Sequence, residues 1–334
     1  MKTPWTLAAI GGLLAAMQIP AQAQTAQIYG QVRLTTNHVR TGSASVTELR
    51  DNASRLGFRG SEDLGGGAAA MFGLEMGLEA DSGAATTPNY RHSYVALRGG
   101  WGTGALGRLD SANPTGSPLY SQVTAIASFA PNDAGATAIG TAILNARNRT
   151  SNSLGYRSPD LGGFDVRARY YLRGTTAAPD AETNAKSLDL GLNYAAGPLR
   201  AGIGYARDSR PGGVLPNELS HKWQAGLRYG LGAFEPYLLV GRDTYNNNAT
   251  SRHDVNYWLV GARYGQNAHA VVLNLMQRDV LTSRTGERRR WQLGYAYALS
   301  KRTELQAFID RDGIDSSRSN VAVRAIGAGI RHDF

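Results

Sequence analysis

The chain has 334 residues, no cysteine and a formal charge of +9 at pH 7, with the positive excess in Arg rather than Lys. Without cysteine there are no disulfides, no thiolate metal sites and no cysteine nucleophile. A basic balance often points to nucleic acid, but no basic run is denser than Arg288-Arg289-Arg290, so nucleic acid is not an expected partner. The charges are spread one or two per strand, a distribution that suits a lining better than a patch.

Lys2 gives a positive start, Leu7 to Ile19 is an apolar run, and Ala21-Gln22-Ala23 is a small-residue cleavage site. Residues 1–23 therefore read as a secretory signal peptide and 24–334 as the mature chain. The apolar run is shorter than the ~20 residues needed to span a bilayer as a helix, and no later stretch reaches that length.

From Gln27 onward the sequence alternates with period two. Ile28, Val32 and Leu34 oppose Tyr29, Gln31, Arg33 and Thr35, and Leu56 and Phe58 oppose Arg55, Gly57 and Arg59. After the turn at Gly65-Gly66-Gly67, Phe72, Leu74, Met76 and Leu78 oppose Gly73, Glu75, Gly77 and Glu79. The pattern recurs downstream, as in Leu188, Leu190 and Leu192 against Asp189, Gly191 and Asn193. One face is apolar and the other polar, small or basic. Parity alone does not separate a water-soluble sandwich from a membrane barrel.

Connection lengths do. Short ones (Gly99 to Gly102, Pro159 to Gly163, Ala195 to Pro198, Gly230 to Ala233, Gly265 to Asn267, Leu299 to Arg302) alternate with longer polar ones, including His38 to Asp51, Gly174 to Lys186 and Asp208 to Ser220. Short turns on one rim and long loops on the other is the pattern of an outer-membrane barrel. Tyr170, Tyr194, Tyr229, Tyr264 and Phe334 are expected near the short-turn ends as an interfacial girdle. Strands are expected from about residues 27, 53, 68, 90, 103, 149, 164, 187, 199, 221, 233, 254, 268, 288, 303 and 321, which makes an all-β, 16-stranded antiparallel transmembrane barrel. A barrel of that size leaves an aqueous channel. The connection at about 110–148 is far longer than the 12 to 15 residues beyond which structureless loops become rare, and its makeup has enough Leu, Ile and Phe to pack on a wall.

Several motifs carry a family resemblance. They are Ile28-Tyr29-Gly30, the run Ser54-Arg55-Leu56-Gly57-Phe58-Arg59-Gly60-Ser61-Glu62-Asp63-Leu64-Gly65-Gly66-Gly67, Leu106-Gly107-Arg108, Tyr156-Arg157-Ser158-Pro159, Leu299-Ser300-Lys301-Arg302-Thr303, and the ending Gly329-Ile330-Arg331-His332-Asp333-Phe334. The chain resembles the general diffusion porins of Gram-negative bacteria, especially the betaproteobacterial branch. The resemblance implies a homotrimer in outer-membrane lipid and lipopolysaccharide, a third loop folded into the lumen, and recognition of Phe334 by the barrel-assembly machinery. It also implies a basic cluster facing loop acids, carried over here to Arg55, Arg108 and Arg149, with Arg33 on the parity to join them and Asp133 as the loop's acid. Relatives often carry an acid near Tyr29-Gly30, where this chain has Gln31 and Arg33. With Glu75 and Glu79 as partial offsets, the balance favours anions.

The expected function is a passive channel for small hydrophilic and anionic solutes, with no cofactor. One rival is a channel of the same fold selective for phosphate or a small carboxylate. More remote are a barrel enzyme, for which no Ser or Asp with a nearby His stands out, and a plugged structural barrel. The six histidines show no metal-ligand spacing and are expected at surface or girdle positions.

Overall fold

The computed structural model of the chain describes residues 25–110, 119, 144, 149–172, 186–209, 213–280 and 285–334. Residues 1–23, assigned above to the signal peptide, and Asp133 lie outside the described residues. The first strands are β1 (Thr25–Thr41), β2 (Ala44–Asp51), β3 (Arg55–Gly65), β4 (Ala68–Glu79), β5 (Ala84–Gly99), β6 (Gly102–Leu109), β7 (Thr150–Arg157) and β8 (Phe164–Tyr171). They are followed by β9 (Lys186–Ala196), β10 (Leu199–Ser209), β11 (Leu219–Tyr229), β12 (Phe234–Asn246), β13 (Arg252–Gln266), β14 (His269–Asp279), β15 (Gly286–Ala298), β16 (Thr303–Ser316) and β17 (Asn320–Asp333).

These 17 segments form one sheet, antiparallel throughout. The upper half of β1 pairs with β2, from Leu34↔Asp51 to Thr41↔Ala44, and its lower half pairs with β3, from Thr25↔Ser61 to Gln31↔Arg55. β2 and β3 are thus one stave broken at Asn52 to Ser54, which brings the barrel to 16 staves. The break is stitched to β1: Asn52 N donates to Arg33 O at 2.9 Å, Arg33 N to Ser54 Oγ at 2.9 Å, and Asn52 Nδ2 to Thr35 Oγ1 at 2.7 Å. Ser54 N also donates to Asp51 Oδ2 at 3.1 Å, and Ser54 O accepts from Leu78 N at 3.0 Å, so the interruption stays bonded to both neighbouring staves. The stretch His38 to Asp51, expected as a loop, is a hairpin turning at Gly42-Ser43. Its polar side chains conceal a ladder that Gly42 closes by adopting φ 61°.

β1 also pairs with β17, from Gln31↔Asp333 to Thr41↔Val323, and this closes the cylinder. Closure removes the sheet edges whose unpaired donors and acceptors would each cost several kcal/mol in lipid.

Burial is inverted relative to a water-soluble domain. On β9, Ser187 and Asp189 are buried whereas Leu188, Leu190 and Leu192 are each 40–42% exposed. Ile203, Trp223, Leu227, Val260, Leu273, Leu293 and Ile326 continue this exposed apolar surface around the wall. Each such side chain gains about 1.5–3 kcal/mol on leaving water, so a continuous surface of them requires lipid. Tyr194, Tyr229, Tyr264 and Phe334 lie at the short-turn rim as expected. Tyr170 does not. It is the penultimate residue of β8, which starts at the short turn, so strand direction carries Tyr170 to the opposite rim.

Candidate functional site

On the inner wall a single cross-strand row runs through four staves: Tyr29↔Gly57, Gly57↔Glu75 and Glu75↔His92. The row works because Gly57 has no side chain. The Tyr29 ring lies where a Cβ of residue 57 would be, and so spans two strand spacings of ~4.8 Å. Its hydroxyl donates to Glu75 Oε2 at 3.1 Å and lies 3.3 Å from His92 Nε2.

A β-bulge then adds a residue that parity would have turned outward. β4 and β5 pair at Glu75↔His92 and next at Met76↔Tyr90, so Arg91 is the extra residue. Its Nε donates to Glu75 Oε1 at 2.6 Å. Arg55 Nε lies 3.6 Å from Glu75 Oε2. Beyond His92 the row continues to Asp110, just past the end of β6. His92 Nδ1 is 3.3 Å from Asp110 Oδ1, and Arg149 Nε is 3.4 Å from Asp110 Oδ2. Glu75, His92 and Asp110 are only 3%, 4% and 2% exposed. Buried carboxylates need such partners, because each ion taken out of water alone would cost several kcal/mol.

The cluster therefore holds Arg55, Arg91 and Arg149 against Glu75 and Asp110, with Tyr29 and His92 between them. Two of the arginines expected from sequence, Arg55 and Arg149, belong to it. Arg108 stands beside it: its guanidinium donates to the Tyr90 carbonyl and to Ser151 Oγ, both at 2.8 Å. Arg33 lies on the side of β1 towards β16, where its Nε donates to Gln306 Oε1 at 2.9 Å. Glu79 ends β4 and is exposed. His92, expected at the surface or girdle, is instead buried in the cluster, because its parity on β5 places it in the Tyr29 row. Donor atoms of Glu75, His92 and Asp110 lie within 4.8 Å of one another, the spacing of a small cation site. The set does not suit a metal ion, since guanidinium groups already stand on both carboxylates.

About half a circumference away, β11 to β14 form a different surface. Their inward positions Tyr237, Leu239, Tyr257, Leu259 and Met276 make an apolar cluster with Leu144. Leu119, fully buried, accepts a hydrogen bond at its carbonyl from Gln224 Nε2 at 2.7 Å. Asp110, Leu119 and Leu144 are the described residues of the long connection at 110–148. A sequence signal for this patch exists: Tyr237-Leu238-Leu239-Val240 and Tyr257-Trp258-Leu259-Val260 are apolar on both parities, so an inner face there requires a cover. Charges nearby are matched. Asp243 binds Lys222 at 3.0 Å and Arg278 at 2.7 Å, and Asp312 and Asp310 bind Arg288 and Arg290, each at 2.5 Å.

Residues 6–317 match the family described as Gram-negative porin. The outer membrane porin protein 32 of Delftia acidovorans is 28% identical over 309 residues, covering 85% of each chain. The major outer membrane protein P.IB of Neisseria sicca is 30% identical over 197 residues, a match spanning 54% of this chain and 52% of that protein. Among solved structures, the anion-selective porin from Comamonas acidovorans superimposes with a TM-score of 0.71 at 23% identity, covering 93% of this chain and all of that one. With a closed 16-stave barrel, lipid-facing outer residues and a charged inner wall, the chain belongs to the Gram-negative porin family of outer-membrane channels, which are not enzymes.

Proposed function

We propose that the barrel is a water-filled channel for passive diffusion of small hydrophilic solutes, with a moderate preference for anions. The observation that carries this reading is the imbalance in the Tyr29 row, where three arginines face two carboxylates. One unbalanced unit charge about 7 Å from a passing ion is worth about 0.6 kcal/mol in bulk water and about four times that at an effective dielectric near 20. Arg suits the role because it stays charged when crowded by other cations. Arg33 adds a cation on the β16 side of the cluster, and Arg108, held by the Tyr90 carbonyl and Ser151, is a further candidate beside it.

In this reading the connection at 110–148 folds into the lumen as the constriction, and Asp133 is its acid besides Asp110. Support comes from Leu144 on the inner apolar patch and from Leu119 bonded to Gln224, both across the barrel from Asp110. Residues 1–23 act as the cleaved export signal, and Phe334 as the signal read during barrel assembly. The working unit is a homotrimer, in keeping with the OmpT porin of Vibrio cholerae described in a trimer form.

The test is the zero-current potential of the purified protein in a planar bilayer under a tenfold KCl gradient. An anion sign supports the reading. A cation sign would overturn the anion preference, and absence of conductance would overturn the channel.

A further inference from the structure

We infer that Arg40, Arg324 and Arg311 form a docking site on the outer wall for the phosphate groups of a membrane lipid, at the rim of the long connections. The chemical class is a phosphorylated glycolipid of the outer leaflet, with lipid A as its anchor. The site concerns the membrane-facing surface and is independent of what the pore selects.

Register puts the three side chains in one row. β1 meets β17 at Arg40↔Arg324, and β16 meets β17 at Arg311↔Arg324. Directly opposed residues of antiparallel strands carry their Cβ atoms about 4.5–5.5 Å apart. All three arginines are exposed, and they face outward. Arg324 shares the parity of Ile326 and Ile330, and Arg311 that of Leu305 and Ile309, apolar residues of the lipid-facing wall. Their alternates Val323, Ala325, Asp310 and Asp312 are buried on the inner side.

Like charges directly opposite one another across strands are destabilising, so such a row calls for anions. The chain itself does not supply them: Arg40 Nε donates to the Gly42 carbonyl at 3.0 Å, and among the described residues no carboxylate is bound to any of the three arginines. Asp310 and Asp312 flank Arg311 in sequence but turn inward onto Arg290 and Arg288. Glu287 and Asp315 oppose each other on the outward parity, four residues above Trp291 and Arg311. At ~3.3 Å per residue that is roughly 13 Å away, and Glu287 is held by Arg289.

The surroundings of the row select a lipid. Trp291 continues it on β15, opposite Arg311, and is partly exposed. An indole belongs at the boundary where headgroups meet acyl chains. On the side towards Phe334 the wall is apolar, and on the other side it reaches the turn at Gly42-Ser43, so the arginines stand at the upper border of the lipid-facing belt. Long connections mark the external rim of such barrels, which makes the adjoining leaflet the outer one. Guanidinium groups match phosphate oxygens with two parallel N–H donors. A second copy of the chain fits the row less well, because docking its apolar wall there would take three cations out of water with no carboxylate in the row to meet them.

The experiment titrates the purified, folded barrel in detergent with diphosphoryl lipid A and reads bound lipid by native mass spectrometry. The proteins are the wild type, a variant combining Arg40→Ala, Arg311→Ala and Arg324→Ala, a second with Lys at the same three positions, and Arg289→Ala as a control on the same face. Mobility on unheated gels confirms that each is folded. The triple Ala variant should bind about ten-fold more weakly or worse, the loss expected from even one hydrogen bond to a charged group. The triple Lys variant, which keeps the charges, should retain most of the binding, and Arg289→Ala all of it. Dephosphorylated lipid A should bind the wild type no better than diphosphoryl lipid A binds the triple Ala variant. Equal binding of the phosphorylated and dephosphorylated lipids by the wild type overturns the proposal, whether or not the Ala variant folds. Undiminished binding by a folded triple Ala variant overturns it too. Displacement of the lipid by an equal concentration of inorganic phosphate would make the row a plain anion site, and loss of the oligomer with lipid binding intact would make it a contact between copies. Either result overturns the assignment to a lipid.

Discussion

Gly30 and Phe334 exchange two backbone hydrogen bonds, Gly30 N to Phe334 O at 3.0 Å and Phe334 N to Gly30 O at 3.1 Å, and the terminal ring lies where a Cβ of residue 30 would be. The last residue of the chain thus completes the seam between first and last staves, and the glycine of Ile28-Tyr29-Gly30 is the space it needs. Gly30→Val should weaken the folded barrel by about 1–3 kcal/mol through overpacking. Gly100→Ala, where nothing lies within 4 Å of the added methyl, should stay within about 0.5 kcal/mol of the parent. The folded fraction surviving in increasing urea, read by mobility on unheated gels, checks both.

Arg91 is held on Glu75 at 2.6 Å while Arg108 rests on a carbonyl and a hydroxyl. Arg91→Ala combined with Arg55→Ala should therefore lower the anion preference by about three-fold or more, on the same Coulomb scale as above. Arg108→Ala should lower it less. Reversal potentials of the three proteins at one salt concentration settle the order, and an equal effect of Arg108→Ala would place the selectivity outside the Tyr29 row.

Glu75→Gln should act in the opposite direction, raising the anion preference by removing one carboxylate. It also strips Arg91 and Arg55 of their partner. Because both guanidiniums retain some exposure, the stability loss should be about 1–3 kcal/mol, below the range for a fully buried broken pair. Urea midpoints measured beside the reversal potentials separate the two effects.

Salt should erode the selectivity. The Debye length is ~10 Å at 0.1 M and ~3 Å at 1 M, so charges several ångströms from the ion path are largely screened at the higher concentration. The anion-to-cation ratio should decline steadily from 0.1 M to 1 M KCl. A ratio insensitive to salt would point to steric selection or a site-bound anion.

Leu144 belongs to the buried apolar cluster of Tyr237, Leu239, Tyr257, Leu259 and Met276. Leu144→Asp would set an ionised carboxylate against these apolar side chains, and the desolvation cost of several kcal/mol exceeds what the contact contributes. If the long connection narrows the pore, the variant should conduct more per channel while its barrel resists heat as before. Unchanged single-channel conductance would show that Leu144 does not anchor a constriction.

The local pattern along the sequence was enough for the barrel itself. In lipid each stave must alternate apolar with polar, every backbone group must pair, and the chain must return to its first strand, so period-two parity, alternating loop lengths and the terminal Phe334 bound the architecture closely. The family resemblance pointed to Arg55, Arg108 and Arg149 together, and of these the structure brings Arg55 and Arg149 onto the carboxylates of the Tyr29 row. Only the tertiary structure decided what these arginines face. The row Tyr29, Gly57, Glu75, His92 depends on register between staves far apart in sequence, and a bulge at Arg91 reverses the direction that parity assigns to it. A bulge is a local misfit between two strands rather than a property of either, so no single strand's sequence announces it. The same holds for His92: its alternation places it on the inner wall, but the carboxylate that faces its Nδ1 comes from Asp110, beyond the end of β6, and the register of β6 on β5 brings the two together.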